Sequence, residues 1–166
     1  GSTRFFLLYT KMATLVETGA GLTNSNSYIS DADFTAYAAS MGVTVSGTAA
    51  ILLLKASIYV EGLAFIGTKK TREQSMQWPR YDATVDNFLT PSDVIPKLLK
   101  DLQCEVAIAI DGGNDPLADV ARAVKKEKVD VIEVEYMDNS VAFSYNRKIV
   151  TLEAKLTSSA FKVTRG

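Results

Sequence analysis

Four short stretches of this chain have the outline of chemical sites, and each lacks a part. Gly62-x-x-x-x-Gly67-Thr68-Lys69 has the glycine spacing of a loop that cradles phosphates with its backbone amides. Such a loop ends in lysine followed by serine or threonine, whereas here the threonine comes first. The stretch also follows an apolar helical run, where a phosphate loop leads from a strand into a helix, so it reads as a helix exit. Asp31-x-Asp33-x-Thr35 opens like a calcium loop. Its sixth position is Ala36 and its twelfth is Gly42, in place of the turn glycine and the bidentate glutamate. Helix capping accounts for these carboxylates more simply. Asp111-Gly-Gly-Asn-Asp115 could offer oxygens to a hard cation, but a polar glycine turn is far more common. Glu133 and Glu135 would share one face of a strand, and paired carboxylates can serve acid–base chemistry. No nucleophile or cofactor motif accompanies them, so a solvated face is the simpler reading.

The chain has no histidine, which removes Ser-His and Cys-His catalysis, imidazole metal ligands and the commonest general base. Its one cysteine, Cys104, lies in an apolar helical stretch and reads as a small core residue. These absences predict a protein that is not an enzyme and uses no cofactor or metal. The 166 residues carry a formal charge of −1, which argues against a general nucleic-acid binder. Two basic clusters stand out, Lys69-Lys70-x-Arg72 and Lys125-Lys126-x-Lys128. They could meet DNA phosphates without sequence preference, or simply keep the surface soluble. Neither contains an aromatic residue, whereas single-strand binders interleave aromatics with basic residues.

The only tryptophan stands in Gln74-Ser-Met-Gln-Trp78-Pro-Arg80. Proline fixes its own φ and holds Trp78 extended, so any helix should stop by about Gln77. Tryptophan and arginine often anchor protein contacts. Two readings therefore stand: Trp78 and Arg80 form an assembly contact, or Trp78 plugs the end of a bundle and Arg80 is solvated.

Helical periodicity supplies the frame. Ser30 and Asp33 cap a helix with Phe34, Tyr37, Ala38 and Met41 on one face, stopped by Gly42. A second helix is predicted over 48–65. Its apolar residues, Ile51, Leu54 and Ile58 with Leu52, Tyr59 and Leu63, cover enough of the circumference to predict a largely buried helix. Residues 66–93 read as a long loop with one helical turn near 72–77. A third helix follows Ile95-Pro96 with the clearest periodicity and ends at Gly112-Gly113. A short helix is expected over 115–124 and a last one over 148–160. Residues 129–136 alternate Ile132, Val134 and Tyr136 with Glu133 and Glu135, the pattern of a half-buried strand. It either turns at Asp138-Asn-Ser140 to pair with 141–145, or reaches a neighbouring chain as an arm within about 124–145. The fold expected is thus mostly α: about four helices in a small bundle, with one extended β arm or hairpin in the C-terminal third. Residues 1–11 look like a tag or upstream extension, and 12–166 like one domain.

Motif order adds a resemblance. Asn26-Ser-Tyr28-Ile-Ser-x-Ala32-Asp33, Ala56-Ser-Ile-Tyr-Val-Glu-Gly62, Gln74-x-x-x-Trp78-Pro-Arg80, Ile95-Pro96, Lys128-Val129, Ile132-Glu-Val-Glu-Tyr136 and Val163-Thr-Arg-Gly166 follow one another along the chain. This order resembles the head–tail connector, or adaptor and head-completion, proteins of the tailed-phage neck. Some of these carry the label DnaT-like single-stranded-DNA-binding protein. The resemblance covers the chain from Met12 onward, except the spacer between Arg80 and Ile95. It implies a helical subunit in a ring between portal and tail, with no catalysis. Its partners would be copies of itself, the portal, a tail or stopper protein and, nonspecifically, packaged DNA, with no membrane involved. It would assemble in the host cytoplasm and reside in the virion neck. Gln74, Trp78, Arg80, Ile132, Val134 and Tyr136 are then the assembly-contact candidates. Lys69, Lys70, Arg72, Lys125, Lys126 and Lys128 are candidates to face the DNA channel. The alternative is a nucleic-acid-binding module acting through the lysine clusters.

Overall fold

A computed structural model describes residues 14–116 and 146–158. Among them are four helices, α1 (Asp31–Ser40), α2 (Ala49–Glu61), α3 (Lys97–Asp111) and α4 (Arg147–Leu156). Two short antiparallel pairs join β1 (Thr68–Lys69) to β2 (Arg80–Tyr81) and β3 (Ala83–Val85) to β4 (Phe88–Thr90). The protein is a mostly helical small bundle with a β hairpin. No helix among the described residues is long and apolar enough to cross a membrane.

Local chemistry sets the helix ends. Ser30 Oγ accepts from the Asp33 amide at 3.1 Å, and Asp31 and Asp33 complement the positive end of α1. Gly62 caps α2, which therefore ends four residues short of the expected Phe65. Pro96 precedes α3 and Gly112 closes it. The Asn146 side chain accepts from the Lys148 amide at 3.0 Å to start α4, which ends at Leu156 rather than at 160.

The core lies where α3 packs against α2 on one side and α4 on the other. Leu99, Leu102, Val106 and Cys104 meet Leu53, Ala56 and Val60 of α2 and Ile149, Leu152 and Leu156 of α4. Burial pushes the Cys104 thiol up to about 12, in keeping with an inert core residue. Three polar clasps cross the bundle. Gln103 accepts from the Tyr28 amide at 2.9 Å and donates to Ser27 Oγ at 3.0 Å and the Leu53 carbonyl at 2.9 Å. Glu105 accepts from the Tyr37 hydroxyl, from Asn146 Nδ2 at 3.3 Å and from Lys148 Nζ at 3.1 Å, so α1, α3 and α4 converge on one carboxylate. Tyr59 of α2 donates to Glu153 of α4.

Two expectations need correction. α2 is not buried all round: Ala50, Leu52, Leu53, Ala56, Ser57 and Val60 face inward, but Ile51 is 52% exposed and Ile58 63%. Ser57 can enter the core because its hydroxyl donates back to the Leu54 carbonyl. Residues 66–93 are not a plain loop either. They carry both strand pairs, and 72–77 forms bends rather than a helical turn. The strand expected at 129–136, its partner at 141–145 and most of the helix expected at 115–124 lie outside the described residues.

Gln103→Leu keeps the side-chain volume but leaves the Tyr28 amide, Ser27 Oγ and the Leu53 carbonyl without this partner. Ser27 Oγ keeps its bonds to the Ile29 carbonyl and amide and the Leu53 carbonyl lies inside α2, so the Tyr28 amide is the group left orphaned, at a cost of about 1–3 kcal/mol. Thermal unfolding should show a destabilisation of about 1–3 kcal/mol, and an unchanged melting temperature would contradict the clasp.

Candidate functional site

The Trp-Pro-Arg segment is built into the fold. Trp78 is fully buried, its ring meets Phe65 edge-on at 5.8 Å and 82°, and its bond to Pro79 is cis. Arg80 is only 7% exposed. Its guanidinium donates to the carbonyls of Ile66 (2.8 Å), Gly67 (2.6 Å) and Gln77 (3.1 Å), and to Gln77 Oε1 (2.9 Å), while lying 5.9 Å from the Phe65 ring centre. Burial lowers its pKa, with Tyr28 and Glu61 acting the other way. Gln74, also buried, accepts from the Thr71 amide at 2.8 Å and donates to the carbonyls of Met76 (2.8 Å) and Pro79 (3.0 Å). These three residues bind their own loop. Gln74, Trp78 and Arg80, the expected assembly contacts, are withdrawn from the surface within the subunit, and the backbone around the tryptophan uses the polar groups of Gln74 and Arg80.

A second layer ties this loop to the bundle. The Tyr28 hydroxyl donates to Glu61 and accepts from the Trp78 amide at 3.2 Å, and Glu61 Oε1 accepts from the Gln77 amide at 2.8 Å. Burial raises the Glu61 pKa, although its hydrogen bonds and the charges of Lys69 and Arg80 pull it down. Gly67 has a φ of +86°, and a Cβ there would lie 2.2 Å from the Tyr81 carbonyl. This glycine permits a close turn, consistent with the helix-exit reading. The buried Glu17 carboxylate accepts from the amides of Gly19, Gly21 and Leu22, and Asp111 takes up the amides of Ser46 and Gly47. These carboxylates thus bind neighbouring backbone.

The first basic cluster is partly spoken for. Lys69 Nζ donates to the Gln74 carbonyl at 3.1 Å and Lys70 Nζ to the Gly19 carbonyl at 3.4 Å. Arg72 is exposed, 3.9 Å from Glu73. Strand pairing sets the exposed Tyr81 opposite Thr68 and Lys69 opposite the inward-facing Arg80, so Tyr81 and Lys69 point to opposite faces of the pair. Lys125, Lys126, Lys128, Ile132, Val134 and Tyr136 lie outside the described residues.

The most conspicuous open surface was missed in the sequence. Val85 pairs with Phe88 across a two-residue turn whose residues, Asp86 and Asn87, have φ of 54° and 72°. Positive φ at both positions is the mark of a type I′ hairpin, which matches the strand twist. The signal was available: Thr84-Val85 and Phe88-Leu89-Thr90 are strand-forming types around Asp-Asn. Ala83 roots the hairpin in the core, and Asp86 ties its tip to α4 through the Lys155 carbonyl at 3.2 Å and Lys155 Nζ at 3.8 Å. Phe88 and Leu89 remain 76% and 71% exposed.

The family described as "Putative DnaT-like ssDNA binding protein" matches residues 12–166, and the chain belongs to it. No curated protein and no solved structure matches the chain.

Trp78→Ala should destabilise the subunit by about 3–5 kcal/mol, read as a lower melting temperature. Arg80→Ala should also destabilise it, unlike a solvated arginine, because three carbonyls lose a donor. Normal stability in either variant would restore the contact reading. A carboxyl whose folded pKa is raised holds its proton longer in the folded than in the unfolded state. Glu61 should therefore make stability fall as pH rises from its ordinary pKa through its folded one. Denaturation across that window should show the fall, and Glu61→Gln should flatten it.

Proposed function

We propose that this chain is a non-catalytic docking subunit of the kind its motif order resembles, an adaptor that joins a portal ring in the neck of a tailed phage. The observation that carries the reading is the hairpin. Two large apolar side chains stand exposed on a hairpin whose root is in the core and whose tip is tied to α4. Exposed apolar side chains held rigidly suit a protein interface, because little ordering entropy is lost on docking. On this reading the partners are further copies of the chain, the portal, and a tail or stopper protein. The work is surface complementarity without cofactor or metal, and the place is the virion neck.

A second reading has its own support. The family description names single-stranded DNA, and it speaks for nucleic acid rather than for a neck. The exposed Tyr81 offers a surface on which a base can stack, and the exposed Arg72 of the same loop offers a charge. Against it, Lys69 and Lys70 already donate to backbone carbonyls, and acidic residues outnumber basic ones over the described residues.

Two measurements separate the readings. Imaging the protein with a portal ring should reveal stoichiometric rings at one portal end. Fluorescence anisotropy with short single-stranded DNA should show weak binding that salt largely removes. Tight binding at physiological salt, lost when Tyr81 is changed to Ala or when Lys125, Lys126 and Lys128 are neutralised, would put the DNA reading first.

A further inference from the structure

We propose that the hairpin tip of one copy docks on the outer face of α2 in a second copy, head to tail. This rests on the docking reading above and names the two surfaces that meet.

Each surface is open and apolar, and their charges are opposite. Ile51, Lys55 and Ile58 fall at helical spacing on one stripe of α2, and all three are exposed. The isoleucines are 52% and 63% exposed, an unusual cost for a helix that otherwise packs well. Lys55 is the only charge on that stripe. The single acid of α2, Glu61, is turned to Tyr28 and the Gln77 amide. The hairpin is the converse. Phe88 and Leu89 are its exposed apolar pair, and residues 81–96 contain three aspartates with neither lysine nor arginine, so the surface stays net acidic even with Lys155 of α4 at 3.8 Å from Asp86. An acidic apolar knob thus faces an apolar stripe carrying a lysine.

The same charges select against the symmetric alternatives. Hairpin against hairpin sets Asp86 near Asp86, and α2 against α2 sets Lys55 near Lys55. Like charges across a contact disfavour both. Knob on stripe brings Asp86 toward Lys55 while burying Phe88 and Leu89 against Ile51 and Ile58. Two unlike surfaces on one chain make a heterologous contact, which closes into a ring when its rotation permits.

Paired surface variants test this. Phe88→Ser with Leu89→Ser removes the knob, and Ile51→Ser with Ile58→Ser removes the stripe. All four side chains are exposed, so circular dichroism and melting should match the parent. Sedimentation of the parent up to millimolar concentration should show self-association, and each variant alone should stay monomeric. An equimolar mixture should give a one-to-one dimer and nothing larger, because each chain keeps one intact surface. Lys55→Glu should weaken association several-fold. A mixture that stays monomeric would overturn the pairing and point to a symmetric contact or to cover by another segment of the same chain. A parent that stays monomeric throughout would overturn it too. If such a monomer still bound a portal, the docking reading would stand without this contact. Self-association with the expected variant pattern but no portal binding would uphold the contact and sink the portal reading.

Discussion

A loop that delivers an indole to the core must take its own peptide groups out of water as well. Left unpaired, each would cost about 1–3 kcal/mol. Much of this fold is arranged around that requirement. Trp78 comes from a stretch with no helix to pair its backbone, so side chains do the pairing. Arg80 takes the carbonyls of Ile66, Gly67 and Gln77, and Gln74 takes those of Met76 and Pro79. Glu61 and the Tyr28 hydroxyl take the amides of Gln77 and Trp78. The partners come from the N-terminal segment, the end of α2 and the loop itself, so burying one ring fixes three parts of the chain relative to one another.

That fixation reaches the surface. β2 begins at Arg80, whose inward orientation leaves Tyr81 outward, and two residues later Ala83 roots the hairpin in the core. The hairpin direction is therefore set by the same contacts that bury Trp78. α4, against which the tip rests, is held by Glu105 and by the Tyr59–Glu153 bond. Both ends of the hairpin thus stand on buried polar clasps. A knob mounted this way loses little freedom when it docks, which matters more to affinity than its modest area.

What could be read in the sequence follows from how local each signal is. The Ser30 cap, the Gly112 stop and the apolar stripe of α3 depend on neighbours within a turn or two, and α1 and α3 are where spacing put them. Cys104 is likewise the core residue its setting suggested. The clasps could not be read, because their partners are far apart in the chain: Gln103 lies 75 residues from Tyr28, and Glu105 lies 68 from Tyr37. Arg80 misled for the same reason. A guanidinium beside a proline turn reads as solvated until the carbonyls of the preceding loop fold back upon it. α2 misled in the other direction. Its composition suggested a largely buried helix that included Ile51 and Ile58, but only a structure shows that these two stay open. The β3–β4 hairpin was a missed local signal, since Asp-Asn between strand-forming residues lacks the glycine that usually gives such a turn away.

The family description and the open hairpin favour different partners, and charge is the property that separates them. Binding a phosphate backbone requires cations free to replace its counterions. In the 66–81 loop, two of the three clustered cations already donate to backbone carbonyls, and only Arg72 stands fully free of the fold. A base stacked on Phe88 would carry its phosphates past Asp86, which already engages Lys155 at 3.8 Å, in a stretch with no lysine or arginine between residues 81 and 96. Tyr81 is better placed, because it stands exposed in the same loop as the exposed Arg72. Any nucleic-acid surface among the described residues would therefore centre on Tyr81 and Arg72 and leave the hairpin tip outside it. Phe88 and Leu89 would still need an apolar partner, and a protein surface with a compensating positive charge supplies one where a polyanion does not.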